Sequence, residues 1–385
     1  MGLSSLYSSG RISFGSFSVG LLSVGLLSAA ATLVTAQTPI PPAAPGSSQP
    51  LAGHPANESS SPAANGSMQL SVVVTDKGGK NVPGLGVGDF QLLDNNRPMR
   101  ITSFRAFGGS APPAQTPAKV IIVFDTVNMP FDSVSYTREQ VSEFLRQNGG
   151  HLAAPVTLAF LNNTDLQVVS DATTDGNALA KKLDESTSNL RTLNRSAGSW
   201  GAVERFEFSL KMLGTLVQKI MEDPGRKLVI WAGPGWPLLD NPNVTFSAQG
   251  QKAFFNSIVG YNTMLREGQI ELSSVSQGMP NGATYLYESY LKGVKKATQA
   301  QPTDLALKVL ATQSGGRVIP PSNDLAAAVT AVVQDAGTYY EITFDPPPPD
   351  GPNEYHDLKI KVNQPGLSAH TNTGYYGKPE AVSAP

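Results

Sequence analysis

From Met68 onward the chain alternates, with Met68, Leu70, Val72 and Val74 set against Gln69, Ser71, Val73 and Thr75. This two-residue period predicts a strand with one face more apolar than the other. Asp76-Lys-Gly-Gly-Lys80 reads as a turn, Phe90–Leu93 as a second strand, Asp94-Asn95-Asn96 as a turn and 100–107 as a third strand. Past a Pro-containing break at 110–117 the pattern changes. Val120–Phe124 is an unbroken apolar run of the kind a central parallel strand shows when covered on both faces. Helical spacing follows over 133–147 through Val134, Val141, Phe144 and Leu145, then strands at 156–161 and 166–169. Asp175 reads as the N-cap of a helix to about 188, and 204–221 as a longer helix with Phe208, Met212, Leu216 and Ile220 inward. Next come the strand 227–231, a helix over 248–266, the strand 270–275, a helix over 304–313, a turn into 317–319 and a helix over 325–333. Strand character returns at 339–344 and 356–362, and a last strand ends near Tyr375-Tyr376.

Strands separated by helices of 10–20 residues predict an α/β domain over 118–337, doubly wound around a mostly parallel, Rossmann-like sheet. The β segments 68–108 and 338–377 flank it, and they are expected to come together as one small β layer made from N- and C-terminal strands.

The ends of the chain differ in character. Residues 1–36 hold one charge, Arg11, before the apolar and small-residue stretch Phe14–Val34 and the ending Leu33-Val34-Thr35-Ala36. That is the layout of a signal peptide cut after Ala36. The alternative is an uncleaved anchor, which would tie the chain to a membrane, and either way the remainder is secreted, periplasmic or in the cell envelope. Residues 37–67 form a Pro/Ser/Ala/Gly tract expected to be a disordered linker, and 378–385 a disordered tail. Asn57-Glu-Ser and Asn65-Gly-Ser match a glycosylation acceptor pattern, but tripeptides this short arise by chance.

Composition narrows the chemistry. A net charge of −2 offers no basic field for nucleic acid. The absence of cysteine removes disulfides, thiolate catalysis and cysteine-ligated zinc, and the four histidines are scattered. Gly84-Leu-Gly-Val-Gly88 breaks phosphate-loop spacing and opens no helix, so it reads as a turn. No Gly-x-Ser-x-Gly, Gly-Lys-Ser/Thr or His-Glu-x-x-His run is present, and Asp165, Asp171 and Asp175 sit where capping explains them. Catalysis is not expected.

Several ordered features resemble the von Willebrand factor A family, and more narrowly its exported bacterial branch, the VWFA-related acidobacterial domain proteins. They are Val72-Val-Val-Thr-Asp76 with Val82-Pro-Gly-Leu85 and Asp89-Phe90, then Val120–Asp125 with Asn128-Met129-Pro130-Phe131. Leu310-Ala-Thr-Gln-Ser-Gly-Gly-Arg317, Tyr340–Phe344 and Pro365-Gly366 with Gly374-Tyr375-Tyr376 complete the set. The resemblance implies a metal-ion-dependent adhesion site at the carboxyl ends of the strands, opened by Asp-x-Ser-x-Ser. Here that element reads Asp125-Thr126-Val127-Asn128-Met129, so neither hydroxyl position offers an oxygen to a hard cation. A later Asp of the family falls where this chain has Ala232-Gly233-Pro234-Gly235. The expectation is a degenerate site with no metal and no cofactor. The alternative is a rearranged Mg²⁺ site on Asp125, Asn128 and Asp132.

The reading that follows is a protein-interaction module with an unidentified protein partner. Its candidate face is Asp125, Asn128, Met129, Phe131 and Trp236, with the aromatic residues as exposed anchors. Against this, Trp236 packs under its own loop in the plainer reading, and Trp200, placed in a loop, is equally ambiguous. A further class is a structural part of an envelope complex assembled through the flanking β segments.

Overall fold

The computed structural model describes residues 66–109, 118–187, 198–239 and 247–377, with Thr187, Ser199 and Trp200 described by backbone only. The expected signal segment, almost all of the linker and the tail from Lys378 lie outside the described residues. No described helix is long and apolar enough to cross a membrane.

In chain order the elements are β1 (Met68–Thr75), β2 (Phe90–Asp94), β3 (Arg97–Met99), β4 (Ile101–Phe107), β5 (Lys119–Asp125), α1 (Phe131–Arg146), β6 (His151–Leu161), β7 (Leu166–Val168), β8 (Thr173–Asp175), α2 (Gly176–Thr187) and α3 (Gly198–Ile220). They continue with β9 (Lys227–Ala232), α4 (Ala248–Glu267), β10 (Ile270–Val275), α5 (Leu307–Gln313), α6 (Leu325–Val333), β11 (Tyr339–Phe344), β12 (Tyr355–Val362), β13 (Ser368–His370) and β14 (Gly374–Tyr376).

The central sheet has the order β10-β9-β5-β6-β7, with β8 also on β6. β10, β9, β5 and β6 run parallel, while β7 and β8 are antiparallel to β6. Arg317–Ile319 adds a short parallel bridge outside β10 through Ser274. β5 and β9 are apolar at nearly every position because helices cover both faces. Val120, Ile122 and Phe124 pack with Val141, Phe144 and Leu145 of α1, Leu179 and Leu183 of α2, and Val329 and Val332 of α6. Ile121, Val123, Val229 and Trp231 alternate with those residues and are equally buried, on the opposite face. In α3 the buried stripe is Phe206, Leu210, Leu213 and Val217, with Leu216 and Ile220 beside it, so Phe208, placed inward from sequence, is only half-buried. α4 joins α3 through the Tyr261 hydroxyl, which donates to the Leu210 carbonyl at 2.7 Å. The architecture is the doubly wound α/β fold.

The terminal β segments do come together, but as two facing sheets rather than a single layer. One has the order β13-β1-β11-β4 and the other β14-β12-β2-β3, all pairs antiparallel. The physical reason is the strand count: eight strands bury their apolar faces by stacking as two fours around one core. That core holds Leu70, Val72, Phe90, Leu92, Tyr340, Ile342, Phe344 and Leu358. At one edge His356 stacks on Tyr375 with ring centroids 4.6 Å apart, and both reach the buried Asp94 carboxylate, at 2.9 Å and 2.6 Å.

A buried polar network ties this sandwich to the α/β layers. Arg226 grips Glu271 through Nε at 2.6 Å and Nη2 at 2.5 Å, and its Cζ lies 4.4 Å from the Tyr339 ring centroid. Arg226 also donates to the Asp335 carbonyl. Arg317 pairs with the Asp335 carboxylate and reaches the Asn81 side-chain oxygen at 2.7 Å and the Gly79 carbonyl at 3.2 Å. Burial works to lower the Arg226 pKa, but Glu271, with Asp335 and Tyr339 adding to it, outweighs that and holds the guanidinium above its usual value.

Candidate functional site

The loops at the carboxyl ends of β5, β9 and β10, three neighbouring strands, meet at one end of the sheet. In open α/β sheets this end is where ligands are taken. The first loop is organised by Asp125. Its Oδ1 accepts the backbone N–H of Val127 and of Asn128, both at 3.0 Å, closing an Asx-type turn. Its Oδ2 accepts Asn128 Nδ2 and Trp231 Nε1, both at 2.8 Å. Asp125 has no solvent exposure, which pushes its carboxyl pKa up, while the same four donors pull it back. Burial is the larger effect and the net direction is up; every one of the four partners is a donor, and the two carboxyl oxygens satisfy them all.

The β9 loop closes over it. Gly233 sits at φ +153°, and a Cβ there would lie 2.9 Å from Asp125 Cβ. Its backbone therefore passes where a side chain could not. Trp231 reaches Asp125 because the register of β5 against β9 sets it beside Val123, on the strand next door.

The candidate residues separate into three kinds. Asp125 and Asn128 do meet, and Asn128 Nδ2 also donates to Ser209 of α3 at 3.0 Å, while its Oδ1 is buried without a partner. Met129 and Trp236 do not form an exposed face. Met129 is 2% exposed in the core, and Trp236 is 4% exposed, with its Nε1 on the Leu305 carbonyl at 3.0 Å and its ring set edge-on to Trp231. An indole finds both its apolar contacts and its hydrogen bond by turning under its loop, which decides against the anchor role. Phe131 is exposed, at 69%. Asp132 is exposed in the first turn of α1, where its Oδ1 accepts the Ser133 N–H at 2.9 Å. Trp200 lies in the first turn of α3 and not in a loop.

A hard cation seeks several oxygens with free lone pairs. Both oxygens of Asp125 already serve two N–H donors each, and the Val127 and Met129 side chains are buried hydrocarbon and thioether. The residues do not fit a metal of the adhesion type. Among the described residues, no group of three or more His, Cys, Asp or Glu side chains is placed to hold a metal ion.

Other exposed apolar residues lie in the segments that leave β9 and β10, and their sequence does not single them out. Leu238 follows β9 with 36% exposure, and Met279, Tyr285 and Leu286 follow β10 with 75%, 45% and 55%. Individually each reads as an ordinary surface residue, and only the strand order groups them. Asp304 accepts the Gln301 N–H at 2.8 Å and is 4% exposed, and burial raises its pKa from 3.8 to about 6. A carboxyl raised in the folded state adds stability below its unfolded pKa and loses it as pH rises through the folded value. Asp304→Asn is therefore expected to raise the melting temperature at pH 7 and to remove part of the stability loss between about pH 4 and 6. The gain is on the order of 2–3 kcal/mol for a two-unit shift. Thermal melts of both proteins across that range check it.

No family model matches the chain, and no curated protein matches it. Solved structures do. The chain is similar to the human COPII-coat protein Sec24c at 11% identity, over 68% of this chain and 44% of that one, with a TM-score of 0.31. It thus spans less than half of the Sec24c chain. It is also similar to the SpRpn10 VWA domain (13% identity, 56% of this chain, 94% of that one, TM-score 0.30) and to the TFIIH p34 N-terminal domain (12%, 56%, 96%, 0.27). These are loose likenesses of overall shape, and the fold rests on the strand order given above.

Proposed function

We propose that the chain is an exported, non-enzymatic protein-interaction module of von Willebrand factor A-like architecture that binds its partner without a metal ion. The contact surface is the loop cluster at the carboxyl end of the parallel sheet. The observation that carries this is the saturation of Asp125 by four protein donors, which makes it the keystone of a loop and not a ligand. Supporting the surface are the apolar side chains left in water at that end, Phe131, Leu238 and Met279 foremost. Export rests on the N-terminal pattern of Arg11, the apolar stretch and Ala36. The partner is a protein rather than nucleic acid, given a net charge of −2.

A second reading keeps Mg²⁺ at a rearranged site, and one atom favours it: Asn128 Oδ1, buried and without a hydrogen-bond partner. A structural role in an envelope complex would instead use the sandwich.

The interaction reading is tested with a photo-crosslinking residue introduced at Phe131 or Met279, in cells exporting the full chain. Discrete adducts from both positions, and none from the exposed helix position Glu139, are expected. Adducts from Glu139 alone, or from no position, would remove the loop cluster as the contact surface.

A further inference from the structure

The segment 97–107 forms one margin of the β-sandwich. β3 ends one sheet and β4 ends the other, joined through Arg100 alone. β3, β13 and β14, the other strands at the margins of the sandwich, are three residues each, and β3 carries Pro98. Short length and proline both discourage pairing with another chain. β4 is different: it has seven residues, no proline, and among the described residues no strand on its outer side. Every second residue there turns its N–H and C=O outward, which is a template for an added strand.

The side chains say what kind of strand would fit. Segment 97–107 contains Arg97, Arg100 and Arg105 and no acidic residue. Arg105 is paired with Glu341 of β11, whereas Arg97 and Arg100 are exposed and have no ion pair among the described residues. Phe104 and Ala106 turn inward against the sandwich core, while Thr102 and Ser103 are exposed. A second copy of this edge would bring a second set of three arginines to the seam, and like charges facing each other across strands are unfavourable. We propose that β4 receives an acidic, extended segment of another protein as an added strand, its carboxylates meeting Arg97 and Arg100. This surface is separate from the loops of the α/β sheet and stands or falls independently of them.

The probe is an end-capped peptide alternating valine and glutamate, with a valine–lysine peptide as its counterpart. Anisotropy of the labelled peptide and hydrogen exchange at amides 101–107 are read on the full chain. The acidic peptide should bind at least about tenfold more tightly than the basic one, slow exchange in 101–107, and dissociate when salt rises to about 0.5 M. The double variant Arg97→Glu/Arg100→Glu should lower its affinity by about tenfold with an unchanged melting temperature, since both side chains are exposed. Equal binding of the two peptides, no binding, or binding without protection of 101–107 would overturn the proposal. So would a concentration-dependent dimer that itself protects 101–107, which would make a second copy the occupant.

Discussion

Arg226→Ala is expected to destabilise the folded chain by about 3–5 kcal/mol, the range for removing one partner of a buried ion pair. Arg226 is 3% exposed and Glu271 6%, so the substitution strands a carboxylate in the interior. It also removes the contact with Tyr339, which links the sandwich to the α/β layers, and a donor to the Asp335 carbonyl. Denaturant titration of the variant should show a lowered midpoint and one transition, because both parts share this network. The double variant Arg226→Met/Glu271→Leu should recover part of the loss, since replacing a buried pair by hydrocarbon avoids the stranded charge. A double variant as weak as the single one would mean that the packing contacts, and not the charge pair, dominate.

Asp125→Asn is expected to cost about 2–5 kcal/mol even in metal-free buffer. The amide nitrogen would have to face either two backbone N–H groups or the pair Asn128 Nδ2 and Trp231 Nε1, leaving buried donors without an acceptor at about 1–3 kcal/mol each. A residue whose role was to hold an ion would behave differently, since removing its charge relieves repulsion when the ion is absent. Asp132→Asn, on the exposed first turn of α1, is the control and should stay within about 0.5 kcal/mol. Equilibrium unfolding in the presence of a chelator measures both.

Much of the fold is legible from periodicity. The boundaries of β10, α6 and β11 fall where the sequence pattern places them. Boundaries drift where local chemistry competes. β6 starts at His151, five residues early, because its pairing with β8 shifts register and so accommodates Pro155 within the strand. The helix expected from Asp304 instead breaks at Ala306, whose ψ of 147° follows a single tight turn capped by Asp304 itself.

The candidate site was legible only in part. Asp125 after a central strand is visible in sequence, and so is the absence of side-chain oxygen at Val127 and Met129. The role of Trp231 is not, because a tryptophan inside an apolar strand reads as packing until the register of β9 beside β5 puts its N–H on the carboxylate. The choice between an exposed and a packed Trp236 is open in sequence for a related reason: its acceptor, Leu305, lies 69 residues away in the chain. Long-range hydrogen bonds of this sort leave no trace in local spacing.

The most direct measurement is the melting temperature of the full chain titrated with Mg²⁺ and Mn²⁺ to several millimolar, against a chelated sample. A carboxylate whose lone pairs are already engaged by N–H groups should give superimposable melts at every concentration. A saturable rise that disappears in Asp125→Asn would show an ion bound at that carboxylate and contradict the metal-free account.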